Sequence, residues 1–188
     1  MNMRLSLFLL CFAALPAAAA EVAGVRIDDK TRVGNADLVL NGAGLRKRLF
    51  VQVYAIGLYL PQKANRPAAI LEQKGPKRVA IHMLRDVSAD SFTEALVEGI
   101  RANHSEADAK ALEPRVRELA AIIAELKEAR KGMALALDWN GRETRLSVQG
   151  KPMGQPISGE DFYRALLRIW LGEKPVQDDL KKALLGGG

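Results

Sequence analysis

Apolar and β-prone residues run from Leu49 to Leu60 with only Gln52 breaking the series. A strand turns successive side chains to opposite faces. One face then carries Phe50, Gln52, Tyr54, Ile56, Leu58 and Leu60, and the other Leu49, Val51, Val53, Ala55, Gly57 and Tyr59. Both faces are apolar, which predicts a central strand covered on both sides, roughly 40 Å long at the usual rise. Pro61 ends it, because proline cannot donate to a ladder. Gly57 leaves a place where a ligand or another backbone can come close.

Around this run the pattern predicts further strands. Glu21 to Asp28 forms the first, Asp28 to Thr31 a turn, and Leu38 to Leu40 begin a strand that feeds Gly42-Ala43-Gly44-Leu45-Arg46. Arg78 to Leu84 is another. Gly132 to Trp139 and Arg142 to Val148 pair across Asn140-Gly141, a dipeptide suited to the positive φ values of a tight hairpin.

Elsewhere the period is helical. Ala68 to Gln73 is a short helical turn. Ser88 and Ser91 are helix-start residues, Ser91 with Glu94 fits a capping box, and Phe92, Leu96 and Ile100 mark the buried stripe that follows. Ser105 with Asp108 opens a second helix, and Pro114 is expected to kink it or begin a new one. Val116, Leu119, Ile122, Ile123 and Leu126 continue the stripe. Ser158 with Asp161 opens a third helix, in which Phe162, Leu166, Ile169 and Trp170 pack inward, and Gln177 to Leu185 is a short last one. The sum is one α+β domain, an antiparallel β-sheet with a layer of α-helices on one face.

The amino terminus stands apart. Arg4, the apolar stretch Leu5 to Leu15 and the small residues Ala18-Ala19-Ala20 read as a secretory signal peptide over residues 1–20, cleaved after Ala20, with the domain over 21–188. The apolar stretch is short for a membrane span. Cleavage removes the single cysteine, Cys11, so the mature chain has no thiol chemistry, and a periplasmic location is expected. Cleavage also lowers the formal net charge of +6 by one, through Arg4. The remaining basic residues occur as dispersed pairs such as Lys47-Arg48, not as the concentrated face of a nucleic-acid-binding protein. The two histidines, His82 and His104, have no metal-ligand spacing, and no nucleophile elbow, phosphate loop or dinucleotide motif is present. No cofactor and no metal are expected.

Arg46 is the residue that asks for a partner. Arginine stays charged when buried and offers a planar fork that fits a carboxylate. At the mouth of a buried strand it is either exposed at a turn or met by an anion.

Gly-Ala-Gly-Leu-Arg at 42–46, with Tyr54-Ala-Ile-Gly-Leu-Tyr-Leu at 54–60, resembles the signature hairpin of the chalcone isomerase fold family. It is similar above all to the secreted bacterial chalcone isomerase-like proteins. Ile169-Trp170-Leu171-Gly172 extends the resemblance more weakly, so that it covers most of the mature chain. The resemblance implies a large sheet with a helical layer and a ligand cleft between them. It matches Arg46 to the arginine that holds a ligand's anionic oxygen. It matches Tyr54 to a threonine in the isomerases, and to a tyrosine that grips a carboxylate in related plant fatty-acid-binding proteins. Phe92 falls where the isomerases carry a catalytic tyrosine, and Gly99 where they carry a substrate-binding asparagine. Phenylalanine cannot donate a proton and glycine has no side chain, so the resemblance points away from an isomerase.

Three readings follow. The first is a non-catalytic binding protein for a fatty acid or similar amphipathic carboxylate. Arg46 and Tyr54 would clamp the acid at the closed end of an apolar tunnel, and Phe50, Ile56, Leu58 and Phe92 would line that tunnel. The second is an isomerase or lyase acting on an enone-like or phenolic substrate, with Arg46 stabilising an oxyanion. The third is an interaction module with its cleft packed shut. The clamp depends on the hairpin. If Lys47-Arg48 is a two-residue turn, Arg46 faces Leu49 and points away from Tyr54. A longer loop or a bulge puts both on one face, with Arg48 as the fallback cation.

Overall fold

The computed structural model describes residues 19–187. It is built on a seven-stranded antiparallel sheet. A small hairpin, β1 (Ala20–Val22) and β2 (Val25–Ile27), precedes it. Then come β3 (Lys30–Val33), β4 (Ala36–Arg48) and β5 (Val51–Leu60). After α1 (Pro67–Glu72) follow β6 (Lys77–Met83) and the short β7 (Val87–Ser88). The helices α2 (Ala89–Ala102) and α3 (Glu106–Ala124) lead through β8 (Glu128–Ala129) to β9 (Ala134–Trp139), β10 (Glu143–Val148) and β11 (Lys151–Ser158). The chain closes with α4 (Glu160–Leu171) and α5 (Asp178–Leu184). In space the sheet runs β11-β10-β9-β6-β5-β4-β3, and β7 pairs with β8 beside it.

The apolar run is covered on both faces, for two different reasons. Ala55 and Tyr59 join Ile27, Val33, Leu38 and Leu40 in a cluster under the β1–β2 hairpin. Ile56, Leu58 and Leu60 belong to the larger core beneath the helices. The close approach at Gly57 is made by the protein itself: a Cβ there would stand 3.0 Å from Ile27 Cγ2.

The Gly-Ala-Gly motif has a similar use. A bulge at Asn41 shifts the register, so that Gly42, Gly44 and Arg46 face Leu58, Ile56 and Tyr54. Helix α5 lies directly on the two glycines. A Cβ on Gly42 would run into the carbonyl oxygens of Ala183 and Leu184, and one on Gly44 would stand 2.7 Å from Leu180 Cδ1. The bulged Asn41 holds this contact, donating from Nδ2 to Leu184 O over 2.7 Å while its Oδ1 accepts from Ala64 N over 2.7 Å.

Several expectations are corrected. The hairpin turns at Leu49-Phe50, with Leu49 at φ +55°, so the strand begins at Val51 and neither residue extends it. Ala23-Gly24 splits the expected first strand into two, and Lys30-Thr31 belongs to β3. Pro114 lies inside α3, which runs on through it from Glu106 to Ala124. Ser88 caps α2, its Oγ accepting from Ser91 N over 3.2 Å, so Ser91 is inside the helix. Gly159, at φ +109°, precedes α4, while Ser158 ends β11. The sequence pattern gives no sign of that strand. Of the expected signal peptide, residues 1–18 lie outside the described residues, and Ala20 pairs with Ile27 in β1.

Candidate functional site

The helical layer does not close completely onto the sheet. Between them lies a cavity of about 510 Å³. Its floor is apolar and comes from adjacent strands: Ile81 of β6, Leu135 and Leu137 of β9, and Leu146 of β10. These side chains share one face because Ile81 pairs with Leu135 and Leu137 with Leu146. The roof is Phe92 and Leu96 of α2, Leu119 and Ile123 of α3, and Leu166, Ile169 and Trp170 of α4. Beyond Leu137 the fold is filled by Trp139, stacked on Tyr163 with ring centroids 5.9 Å apart. Tyr163 donates its hydroxyl to Leu137 O over 3.1 Å.

Polar groups gather at the other end. Arg46 and Tyr54 are direct cross-strand partners, and the irregularity in the ladder falls between Arg46 and Lys47. The bulge arrangement therefore holds, and both side chains line the cavity. Arg46 is partly buried and has no ion pair among the described residues. Its Nη1 donates to the carbonyl of Lys47 and, over 3.5 Å, to Gln177 Oε1. Gln177 also accepts from Lys47 N over 2.8 Å and donates to Leu45 O over 3.2 Å. The residue just before α5 thus ties down the backbone on either side of the arginine.

Tyr54 is oriented from the opposite side. Its hydroxyl accepts the indole N–H of Trp170 over 3.0 Å, which leaves its own proton free to donate. Burial pushes the phenol up from its ordinary value, while the Trp170 hydrogen bond and the Arg46 charge pull the other way. The group stays protonated near neutral pH and serves as a donor. Beside it, Arg46 supplies fixed positive charge. A phenol donor and a guanidinium fork on one face, at the edge of an apolar cavity, are suited to an anionic oxygen pair.

The pair stands at the mouth and not at a closed end. The exposed wall residues Arg48, Arg85, Asp86 and Ser88 lie at this end, next to the β4–β5 turn. Glu94 and Glu98 of α2 border the opening from the helical side. Arg48 joins this rim, as a second cation beside Arg46.

Three expected lining residues are placed elsewhere. Phe50 sits at the turn and is 99 % exposed, so it lines nothing. Ile56 and Leu58 are fully packed, opposite Gly44 and Gly42 and hence alongside α5, away from the cavity wall. Phe92 is on the wall. Gly99 has a packing reason of its own: a Cβ there would meet Ile169 Cγ2 at 2.9 Å, so the position where an asparagine would stand is taken by α4. Trp170, which orients Tyr54, and Gln177, which ties down the backbone on either side of Arg46, do not stand out as site residues in the sequence. The Trp170 side chain reads as core from its apolar period, and nothing local to Gln177 marks it. His82 lies on the other face, its pKa lowered by burial, and His104 Nδ1 is 2.8 Å from Ile100 O. No cluster of potential metal ligands is found among the described residues.

The crystal structure of a fatty-acid binding protein from Arabidopsis thaliana has the same fold. It superposes with a TM-score of 0.68 at 13 % sequence identity, over 86 % of this chain and 92 % of the plant protein. Comparison with curated proteins finds no match. Residues 19–186 match the sequence profile described as chalcone isomerase-like. With that match spanning nearly all of the described domain, and with the sheet, helical layer and signature hairpin in place, the chain belongs to the chalcone isomerase-like family.

Proposed function

We propose that this protein is a non-catalytic, periplasmic binding protein that holds a fatty acid or similar amphipathic carboxylate. The carboxylate is received by Arg46 and Tyr54 at the mouth, and the chain lies along Ile81, Leu135, Leu137 and Phe92. The observation that carries this reading is the pairing of Arg46 with Tyr54 at the polar end of a cavity whose inner wall is apolar. A volume of about 510 Å³ lies within the range of small-molecule pockets. An open cavity also counts against an interaction module with a packed cleft. The wall there supplies Phe92 in place of a proton donor, which weighs against an isomerase.

Native mass spectrometry of the mature protein from its own host tests the reading, followed by solvent extraction of what it carries. A co-purifying fatty acid that is lost in Arg46→Ala and reduced in Tyr54→Phe supports it. A protein that arrives empty and fails to take up added fatty acid overturns it.

A further inference from the structure

Among the described residues, the large apolar side chains left exposed to water lie at the β4–β5 turn. Leu49 is 88 % exposed, Phe50 99 % and Val51 45 %. Leu49 also holds φ +55°, a conformation that side-chain-bearing residues rarely adopt. A glycine or asparagine would turn the chain there without strain and without an apolar side chain in solvent. Neither Leu49 nor Phe50 contributes to either hydrophobic cluster, so the folded core does not account for them.

Their setting is cationic. Lys47 and Arg48 lead into the turn, both without an ion pair among the described residues. Arg48 and Arg85 line the rim of the cavity beside them. Asp86 borders the mouth as well, and Glu94 and Glu98 border it from α2, whereas Lys47 and Arg48 stand directly before the apolar tip in the chain.

We infer that the Leu49-Phe50-Val51 tip, with Lys47 and Arg48 behind it, docks this protein on an anionic lipid bilayer. Apolar side chains at a protruding tip enter the boundary between headgroups and acyl chains, and cations immediately behind them meet the negative surface. A second copy of the chain fits the patch less well. Three side chains fall far short of the roughly 800 Å² per partner of a stable interface. A two-fold contact would also set Lys47 and Arg48 near their own counterparts. Docking places the cavity mouth against the bilayer, so that an amphipathic acid passes between membrane and cavity without crossing water. Only this exchange step rests on the fatty-acid reading.

Co-sedimentation with vesicles of phosphatidylglycerol and of phosphatidylcholine tests the docking. The mature protein is expected to prefer the anionic vesicles. The double variant Leu49→Ser/Phe50→Ser is expected to bind them at least about tenfold less, and Lys47→Glu to lose the preference for anionic lipid. In Phe50→Trp, emission is expected to shift further to the blue on adding phosphatidylglycerol vesicles than that of the natural protein, whose tryptophans Trp139 and Trp170 are buried. Undiminished vesicle binding by the double variant, or an emission from Phe50→Trp that vesicles leave unshifted, overturns the proposal. So does a dimer that the double variant dissolves. Binding of added fatty acid in vesicle-free solution reports on the cavity separately and is expected to be unchanged in the double variant.

Discussion

Trp170 of α4 donates its indole N–H to the hydroxyl of Tyr54 on β5 over 3.0 Å. The bond fixes the direction of the phenol and assigns its proton to whatever enters the cavity. Tyr54→Phe removes both the donor and the acceptor that Trp170 uses. A net hydrogen bond is worth roughly 1 kcal/mol, so fatty-acid affinity should fall about five- to tenfold. Trp170→Phe should weaken binding by less, because Tyr54 keeps its donor and loses only its orientation. Isothermal titration of a long-chain fatty acid into both variants measures the order. A larger loss in Trp170→Phe than in Tyr54→Phe would mean that packing, not the phenol, sets affinity.

Gly42 seats α5, and α5 follows the residue that ties down the backbone on either side of Arg46. Gly42→Ala drives a methyl into the carbonyls of Ala183 and Leu184. Stability should fall by more than about 2 kcal/mol in urea denaturation. Because Gln177 lies at the start of α5, ligand binding should weaken at temperatures where the domain is still folded. Unchanged stability would show that α5 can shift at little cost.

Gly99 should also resist substitution. Gly99→Ala brings a Cβ within 2.9 Å of Ile169 Cγ2 and should cost about 1–3 kcal/mol. Gly99→Asn should cost more and create no isomerase-like site. Thermal unfolding of the two variants gives the comparison, and an asparagine variant as stable as the natural protein would refute the packing account.

Lys77 is 1 % exposed, and burial lowers its pKa to about 8. Its Nζ donates to the carbonyl of Gln73. Below pH 8 the lysine is charged in both the folded and unfolded states, and the cost of burying that charge is fully present. Between about pH 8 and pH 10 the unfolded chain binds more protons than the folded one, so stability should rise with pH. Tyr59, raised to about 12, works in the opposite sense only above about pH 10. Lys77→Met should be more stable at pH 7 by about 1–2 kcal/mol and should lose most of the rise. Denaturant midpoints across pH 7 to about 10 check this; a persistent rise in the variant assigns it to another group.

The architecture was largely legible because its signals are local. The two-sided apolar run, the Asn140-Gly141 turn and the helical stripes all depend on residue spacing. What escaped depends on contacts between distant segments. The β4–β5 turn falls at Leu49-Phe50, residues with no turn preference, so the apolar pattern continued the strand through it. Edge strand β11 carries Pro152 and Pro156, which hide it from a strand pattern, although an edge strand tolerates missing donors. The signature hairpin marks Arg46 and Tyr54, but the bulge that brings them to one face is not encoded in any short motif. The roles of Gly42, Gly44 and Gly99 lie in their contacts with α5 and α4, which no local pattern announces.

The central claim is that Arg46 recognises a carboxylate at the mouth of the cavity. The most direct test compares a long-chain fatty acid with the alcohol of the same chain length, titrated into the natural protein and into Arg46→Ala. The natural protein should bind the acid roughly 10- to 100-fold more tightly than the alcohol, and Arg46→Ala should lose that preference while still binding the alcohol. Equal affinity of the natural protein for acid and alcohol, or a preference that survives in Arg46→Ala, would contradict the account.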